Sequence, residues 1–148
     1  MIEFKPITTA DIETVVSMME EFYAIDNYPI SVDVSKALFQ EFISNENLGK
    51  AWLISSENEI VGYIILTFVF SFEYKGRIAF LDELYVTEKA RGKGIGKEAI
   101  TFIKTESHKL SLKLIYLEVE PHNKKAQKLY LANGFESHKR QLMQYKIK

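Results

Sequence analysis

The run from Ile60 to Phe72 constrains this chain more than any other feature. It is nearly all apolar, and it is rich in the β-branched and aromatic side chains that suit a pleated surface. It is too short for a bilayer-spanning helix, which needs about 20 residues. An apolar strand without alternation is expected where both faces of its sheet are covered. The remainder of the chain must therefore supply a layer on each side. Its 148 residues suffice for one domain and are too few for two independent cores. With 47% hydrophobic residues, including ten Phe and eight Tyr, such a core is within reach. The expectation is an α/β (α+β) fold in a single domain spanning residues 1–148.

Periodicity elsewhere supplies the layers. Ile2 to Ile7 reads as a short strand. Thr8 and Thr9, followed by Asp11 and Glu13, mark a helix start, and Ile12, Val15, Val16, Met19 and Phe22 form its apolar stripe. After a loop at Asp26 to Asp33, a second helix covers about Val34 to Ser44. Lys50 to Ser56 reads as a strand joined to the Ile60 strand by Ser56-Glu57-Asn58-Glu59, which favours an antiparallel hairpin. Arg77 to Val86 is a further strand. A helix then reaches about Leu110, with Ile95, Ala99, Phe102 and Ile103 inward. Leu114 to Val119 is a strand, and Asn123 to Asn133 a helix with Gly134 as its cap. Phe135 to Ile147 is compatible with two final strands.

The charge balance narrows the functional classes. A net charge of −1 provides no general pull toward nucleic acid or an anionic membrane. The chain has no cysteine, which removes disulfides, thiolate metal sites and a cysteine nucleophile, and suits a reducing compartment. The opening Met1-Ile2-Glu3-Phe4-Lys5 lacks the order of a secretory signal. A soluble cytoplasmic protein is expected, with no nucleic-acid or membrane partner and no metal.

The chemistry concentrates in Asp82-Glu83-Leu84-Tyr85-Val86 and the following Arg91-Gly92-Lys93-Gly94-Ile95-Gly96-Lys97. A strand runs into a loop with three alternate glycines, and a helix begins inside it. Glycine lets several N–H groups converge, and the helix start adds free N–H groups and the positive end of its dipole. Arg91, Lys93 and Lys97 add charge, so the segment predicts a phosphate or diphosphate cradle. It is not a P-loop: Arg91 stands where the first glycine belongs and Glu98 where the magnesium-binding hydroxyl belongs. Nor is it a dinucleotide fingerprint, since its third glycine comes one place early. The bland alternative is a turn that merely starts a helix.

A second segment follows: Leu117-Glu118-Val119 ending a strand, then Asn123, Ala126, Leu129-Tyr130 and Gly134-Phe135. Together the two segments resemble the GNAT superfamily of acetyl-CoA-dependent N-acetyltransferases. The resemblance implies a mixed central sheet of about six or seven strands flanked by about four helices, with a splayed parallel strand pair at the cofactor site. It implies that Arg91, Gly92, Lys93, Gly94, Ile95 and Gly96, with Lys97 beside them, hold the diphosphate of coenzyme A. The main chain of Leu84, Tyr85 and Val86 would line the pantetheine arm, with a bulge near Leu84 opening the sheet and an N–H there serving as oxyanion donor. Asn123 would bond the pantetheine or cap its helix.

For the chemistry, the resemblance favours Asp82 as the base, with Glu83 next to it as the alternative. Strand alternation puts the two on opposite faces, and either has the ordinary fate of pairing with a surface cation. Tyr130 matches the tyrosine that protonates the departing sulfur, although its spacing with Ala126 and Leu129 equally suits a core aromatic. His122 is a weaker candidate base, better read as an exposed loop histidine. Without cysteine, direct attack in a ternary complex is expected.

In this family the stretch from Glu20 to Asp33 forms the acceptor wall. Here it carries Phe22, Tyr23 and Tyr28 among acidic residues, and Phe72 adds an aromatic strand end. Such a lining suits a small cationic amine. Peptide or protein amino groups remain open as acceptors. So do a non-catalytic acetyl-CoA-binding or sensing module and a structural domain whose glycine loop is only a turn. The last strands are a plausible homodimer contact.

Overall fold

The computed structural model describes residues 1–148, in two compact units, 1–118 and 119–148. In the first, the long apolar run becomes β3 (Glu59–Ser71), the middle strand of a five-stranded sheet. It pairs antiparallel with β2 (Gly49–Ser56) on one side and β4 (Gly76–Val86) on the other. β1 (Ile2–Pro6) extends the sheet beyond β2, antiparallel. At the opposite edge, β5 (Ile115–Tyr116) runs parallel to β4.

Both faces of β3 are covered, as its composition requires. Ala51, Leu53, Tyr63, Ile65 and Tyr85 pack with Val15, Val16, Met18, Met19 and Phe39. These last belong to α1 (Ile12–Ile25) and α2 (Val32–Ser44). The alternate set, Trp52, Ile54, Ile64 and Leu66, points the other way, where Trp52 meets Phe102 of α3 (Ile95–Lys109) edge to face at 5.2 Å. The helix starts follow local chemistry. The Thr8 N–H donates to Asp11 Oδ2 at 2.9 Å in a short 3-10 turn before α1, and the Val34 N–H donates to Ser31 Oγ at 3.3 Å at the start of α2. No helix is long and apolar enough to cross a membrane.

The register contains the feature that shapes the site. Leu66 pairs with Leu81 while its neighbour Ile65 pairs with Glu83, so Asp82 is an extra residue, a β-bulge. The bulge was expected near Leu84 and lies two residues earlier. β5 pairs with β4 only at Ala79–Ile115 and Phe80–Tyr116, just before that bulge. A bulge bends its strand and breaks the ladder. From Leu81 to Val86 the outer edge of β4 consequently has no neighbouring strand within residues 1–118, and the parallel pair splays.

In the second unit, α4 (Lys124–Ala132) is capped by Asn123, whose Oδ1 accepts from the Ala126 N–H at 3.1 Å. The chain leaves it through Gly134 at φ 95°, and the Phe135 N–H returns to Tyr130 O at 3.0 Å. The four helices match the sequence reading, but the strand count does not. The sheet has five strands instead of six or seven, Leu114–Val119 contributes only Ile115 and Tyr116, and Phe135–Ile147 forms no strand. Leu142, Met143, Tyr145 and Ile147 are exposed. An alternating pattern reports that a segment is able to form a strand, whereas the ladder requires a neighbour to bond.

Candidate active site

The glycine loop has the geometry its sequence implies. Gly92 and Gly94 both adopt φ 79°, a left-handed conformation costly for any residue with a Cβ. A Cβ built on either would meet no atom within 4 Å, so the space above the loop is open. The Arg91 N–H reaches Glu88 O at 3.3 Å, and the next N–H to reach a main-chain acceptor is that of Glu98, on Gly94 O at 3.1 Å. Those from Gly92 to Lys97 have no main-chain acceptor, as expected around a helix start. Lys93 and Lys97 are exposed beside them. Arg91 is engaged differently: its Nε donates to Val86 O at 2.9 Å, and its guanidinium lies 5.7 Å from the Tyr85 ring centroid. It braces the loop against the end of β4. The N–H row and the unpaired edge at Leu84, Tyr85 and Val86 together offer a run of main-chain donors and acceptors for an extended anionic ligand.

The two carboxylates before this edge differ. Asp82, on the bulge, is exposed, and partial desolvation alone raises its pKa. Glu83 turns toward α1 and α2. Tyr23 donates to its Oε2 at 2.6 Å, and Tyr63 donates to its Oε1 at 2.6 Å. Burial raises the Glu83 pKa above the usual glutamate range, the two tyrosine bonds oppose that rise, and the nearby Asp82 charge adds to it. Burial and the adjoining carboxylate push both phenols well above their ordinary pKa, so they remain donors. The bulge also removes the strict alternation used to separate Asp82 from Glu83, because the ladder places Leu81 and Glu83 on opposite faces with Asp82 as the insert between them.

Of the acceptor-side candidates, the structure brings Tyr23 and Phe22 to this cluster. Phe22 packs 5.2 Å from Tyr85 and 6.4 Å from Tyr63, beneath the polar groups. Tyr28 is in the α1–α2 connection, its N–H on Tyr23 O at 2.9 Å and its side chain exposed. Phe72 is not brought there. It sits at the tip of the β3–β4 hairpin, exposed against Phe70 at 5.4 Å. The tip begins at Ser71, six positions along β3 from the residue facing Glu83, or about 20 Å at 3.3 Å per residue. One participant escaped the sequence reading, Tyr63, while Glu21, one of the acidic residues of the expected acceptor wall, accepts from the Tyr85 hydroxyl at 2.9 Å. Tyr63 did carry a signal, since a tyrosine inside a buried apolar run needs a partner for its hydroxyl.

In the second unit, Asn123 performs the capping role expected for it. Tyr130 lies on α4 with its ring 5.6 Å from Phe135, and burial raises its pKa.

The comparisons accord with this architecture. The family model described as acetyltransferase (GNAT) family matches residues 15–135. The chain belongs to the GNAT acetyltransferase family. Among curated proteins it is similar to an uncharacterized N-acetyltransferase, YhfO, of Bacillus subtilis (strain 168), 37% identical over 92 residues. That match spans 62% of this chain and 62% of YhfO. Among solved structures it resembles the integron cassette protein HFX_CASS3 from the mobile metagenome of Cole Harbour Salt Marsh. That likeness has a TM-score of 0.88 and 30% identity, and covers 98% of this chain and 90% of the other. The GNAT fold also recurs in a Clostridium acetobutylicum protein described as a predicted acetyltransferase with acetyl-CoA. It has a TM-score of 0.82 and 18% identity over 98% of this chain and 96% of that one, a likeness of fold alone.

Proposed function

We propose that this GNAT chain is an N-acetyltransferase that moves the acetyl group of acetyl-CoA to a primary amine of a small cationic acceptor, by direct attack in a ternary complex. The observation that carries the reading is the row of N–H groups from Gly92 to Lys97 without main-chain acceptors, leading on to the unpaired outer edge of β4. An anionic diphosphate matches the first, and an amide-bearing arm the second. Open space over Gly92 and Gly94 is the fit such a group needs. The loop residues Gly92 to Lys97 would hold the diphosphate, with Leu84 to Val86 along the arm, while Arg91 keeps loop and strand together. When bound, acetyl-CoA supplies an activated acetyl thioester. The family resemblance and the likeness to a fold solved with acetyl-CoA support that choice.

The chain's own groups handle protons. An alkylammonium with a lysine-like pKa needs roughly 4–5 kcal/mol to lose its proton at pH 7. Asp82 and Glu83 provide a negative environment that draws the ammonium in, and the geometry favours Glu83 as the receiver because two tyrosines hold it in place. Tyr130, protonated at neutral pH, is the proposed donor of a proton to the departing thiolate. The absence of cysteine favours direct transfer over an acyl-enzyme route.

The test is free-thiol release from acetyl-CoA across a panel of polyamines, aminoglycosides, amino acids and peptides. Turnover with a small cationic amine is expected; coenzyme A binding with no turnover on the whole panel would make the chain a binding module. Gly94→Ala should weaken coenzyme A binding by roughly tenfold, since the left-handed conformation costs about 1–2 kcal/mol with a Cβ. Unchanged affinity by calorimetry would remove the loop as the cradle.

A further inference from the structure

Glu83 is held from two sides that differ in access. Tyr63, from β3, is 0% exposed and sealed in the core. Tyr23, from α1, is only partly buried, and its hydroxyl covers Glu83 Oε2 at 2.6 Å. Asp82, exposed on the bulge, places a further negative charge near both Tyr23 and Glu83. These are the titratable groups facing Glu83: Tyr23 from α1, Tyr63 from β3 and Asp82 from β4. Tyr85, whose ring is 5.9 Å from that of Tyr63, is engaged with Glu21.

We propose that Tyr23 is the proton conduit to Glu83, taking a proton from the acceptor ammonium at Oη while passing its own to Glu83 Oε2, and that Tyr63 is the positioning residue that holds the carboxylate for this transfer. The inference rests on the amine-acetyltransferase reading and deepens it. In the step, one ammonium N–H bond breaks and its electron pair stays on nitrogen as the nucleophilic lone pair. A new Oη–H bond forms as the old one breaks, and Glu83 ends as a neutral acid. No phenolate appears, as the burial of Tyr23 beside two carboxylates requires. Two short bonds already aligned on one carboxylate make the transfer a matter of shifting protons along existing contacts.

The experiment compares an alkylamine acceptor with its β,β,β-trifluorinated analogue, which is almost wholly unprotonated at neutral pH. Tyr23→Phe should lower kcat/KM for the alkylamine by about 10²-fold at neutral pH, in the usual range for proton transfer by a positioned group. The loss should shrink as pH approaches the amine pKa, and should stay below about threefold for the fluorinated analogue, which has no ammonium proton to shed before attack. Equal losses on both acceptors, or none on either, overturn the conduit. For the wild type, a bowed proton inventory with the alkylamine is expected, and a linear one overturns the two-proton transfer. In cofactor-free protein, carboxyl carbon NMR should show Glu83 titrating at higher pH in Tyr63→Phe than in wild type; an unmoved midpoint overturns the positioning role. Absence of thiol release from wild type with every amine would defeat the acetyltransferase reading, and the NMR titration would still judge the clamp.

Discussion

The two faces of the sheet are built on different terms. Toward α3 the contact is apolar throughout. Phe4 stacks on Phe102 at 4.2 Å, Trp52 meets the same ring, and Ile54, Ile64 and Leu66 are fully buried with Ile100 and Ile103. Toward α1 the same strands hold a polar cluster, with Tyr63 and Tyr23 on the partly buried Glu83 and the Tyr85 hydroxyl on the exposed Glu21. Burying a carboxylate costs free energy that apolar packing does not, and hydrogen bonds only partly offset it. The face toward α3 therefore supplies stability, and the face toward α1 gives some of it up to hold one carboxylate still.

That contrast is open to direct attack. The largest expected effect is at Glu83→Gln, which should lower thiol release from acetyl-CoA with an alkylamine by about 10²–10⁴-fold while the fold survives. If the rate falls less than about threefold and Asp82→Asn produces the loss instead, the base is on the bulge and the tyrosine clamp is structural. Next comes Trp52→Ala, on the opposite face. Urea unfolding should show it less stable by about 3–5 kcal/mol, with turnover per folded molecule unchanged. Turnover lost in the folded variant would mean that the two faces are not separable. Tyr130→Phe asks whether the polar face acts alone: turnover should drop by roughly tenfold with coenzyme A affinity nearly intact, and unchanged turnover would remove Tyr130 as the acid. The smallest effect is in stability against pH. Glu83 titrates above its unfolded value, so the folded state binds more protons between the two. The Glu83 contribution to stability is then fully present below the ordinary glutamate pKa of about 4.3 and is lost as pH rises through the folded value. Glu83→Gln should flatten part of that decline, and Asp82, also raised, accounts for another part.

What was legible in the sequence was what neighbours along the chain decide. The loop could be read because a left-handed glycine and a free helix N–H are local properties of Gly92, Gly94 and the residues after them. β3 could be read from its composition, and the stripes of α1 and α3 from their spacing. The Glu83 clamp could not, since Tyr23 lies 60 residues away and Tyr63 lies 20 away. The choice between Asp82 and Glu83 rested on alternation, and a single inserted residue cancels alternation without leaving a mark in composition. Phe72 looked like a site residue because it is aromatic, and the hairpin carries it away from the cluster.

The amino-acid order alone set the layered α/β plan, the left-handed glycine turn and the helix that begins in it, because each depends on backbone preferences and short-range periodicity. Only the folded molecule decided where the ladder slips, how far β5 accompanies β4, and which carboxylate is gripped by two phenols. Those outcomes depend on register and on contacts between distant segments, and residue types along a chain do not encode either one locally.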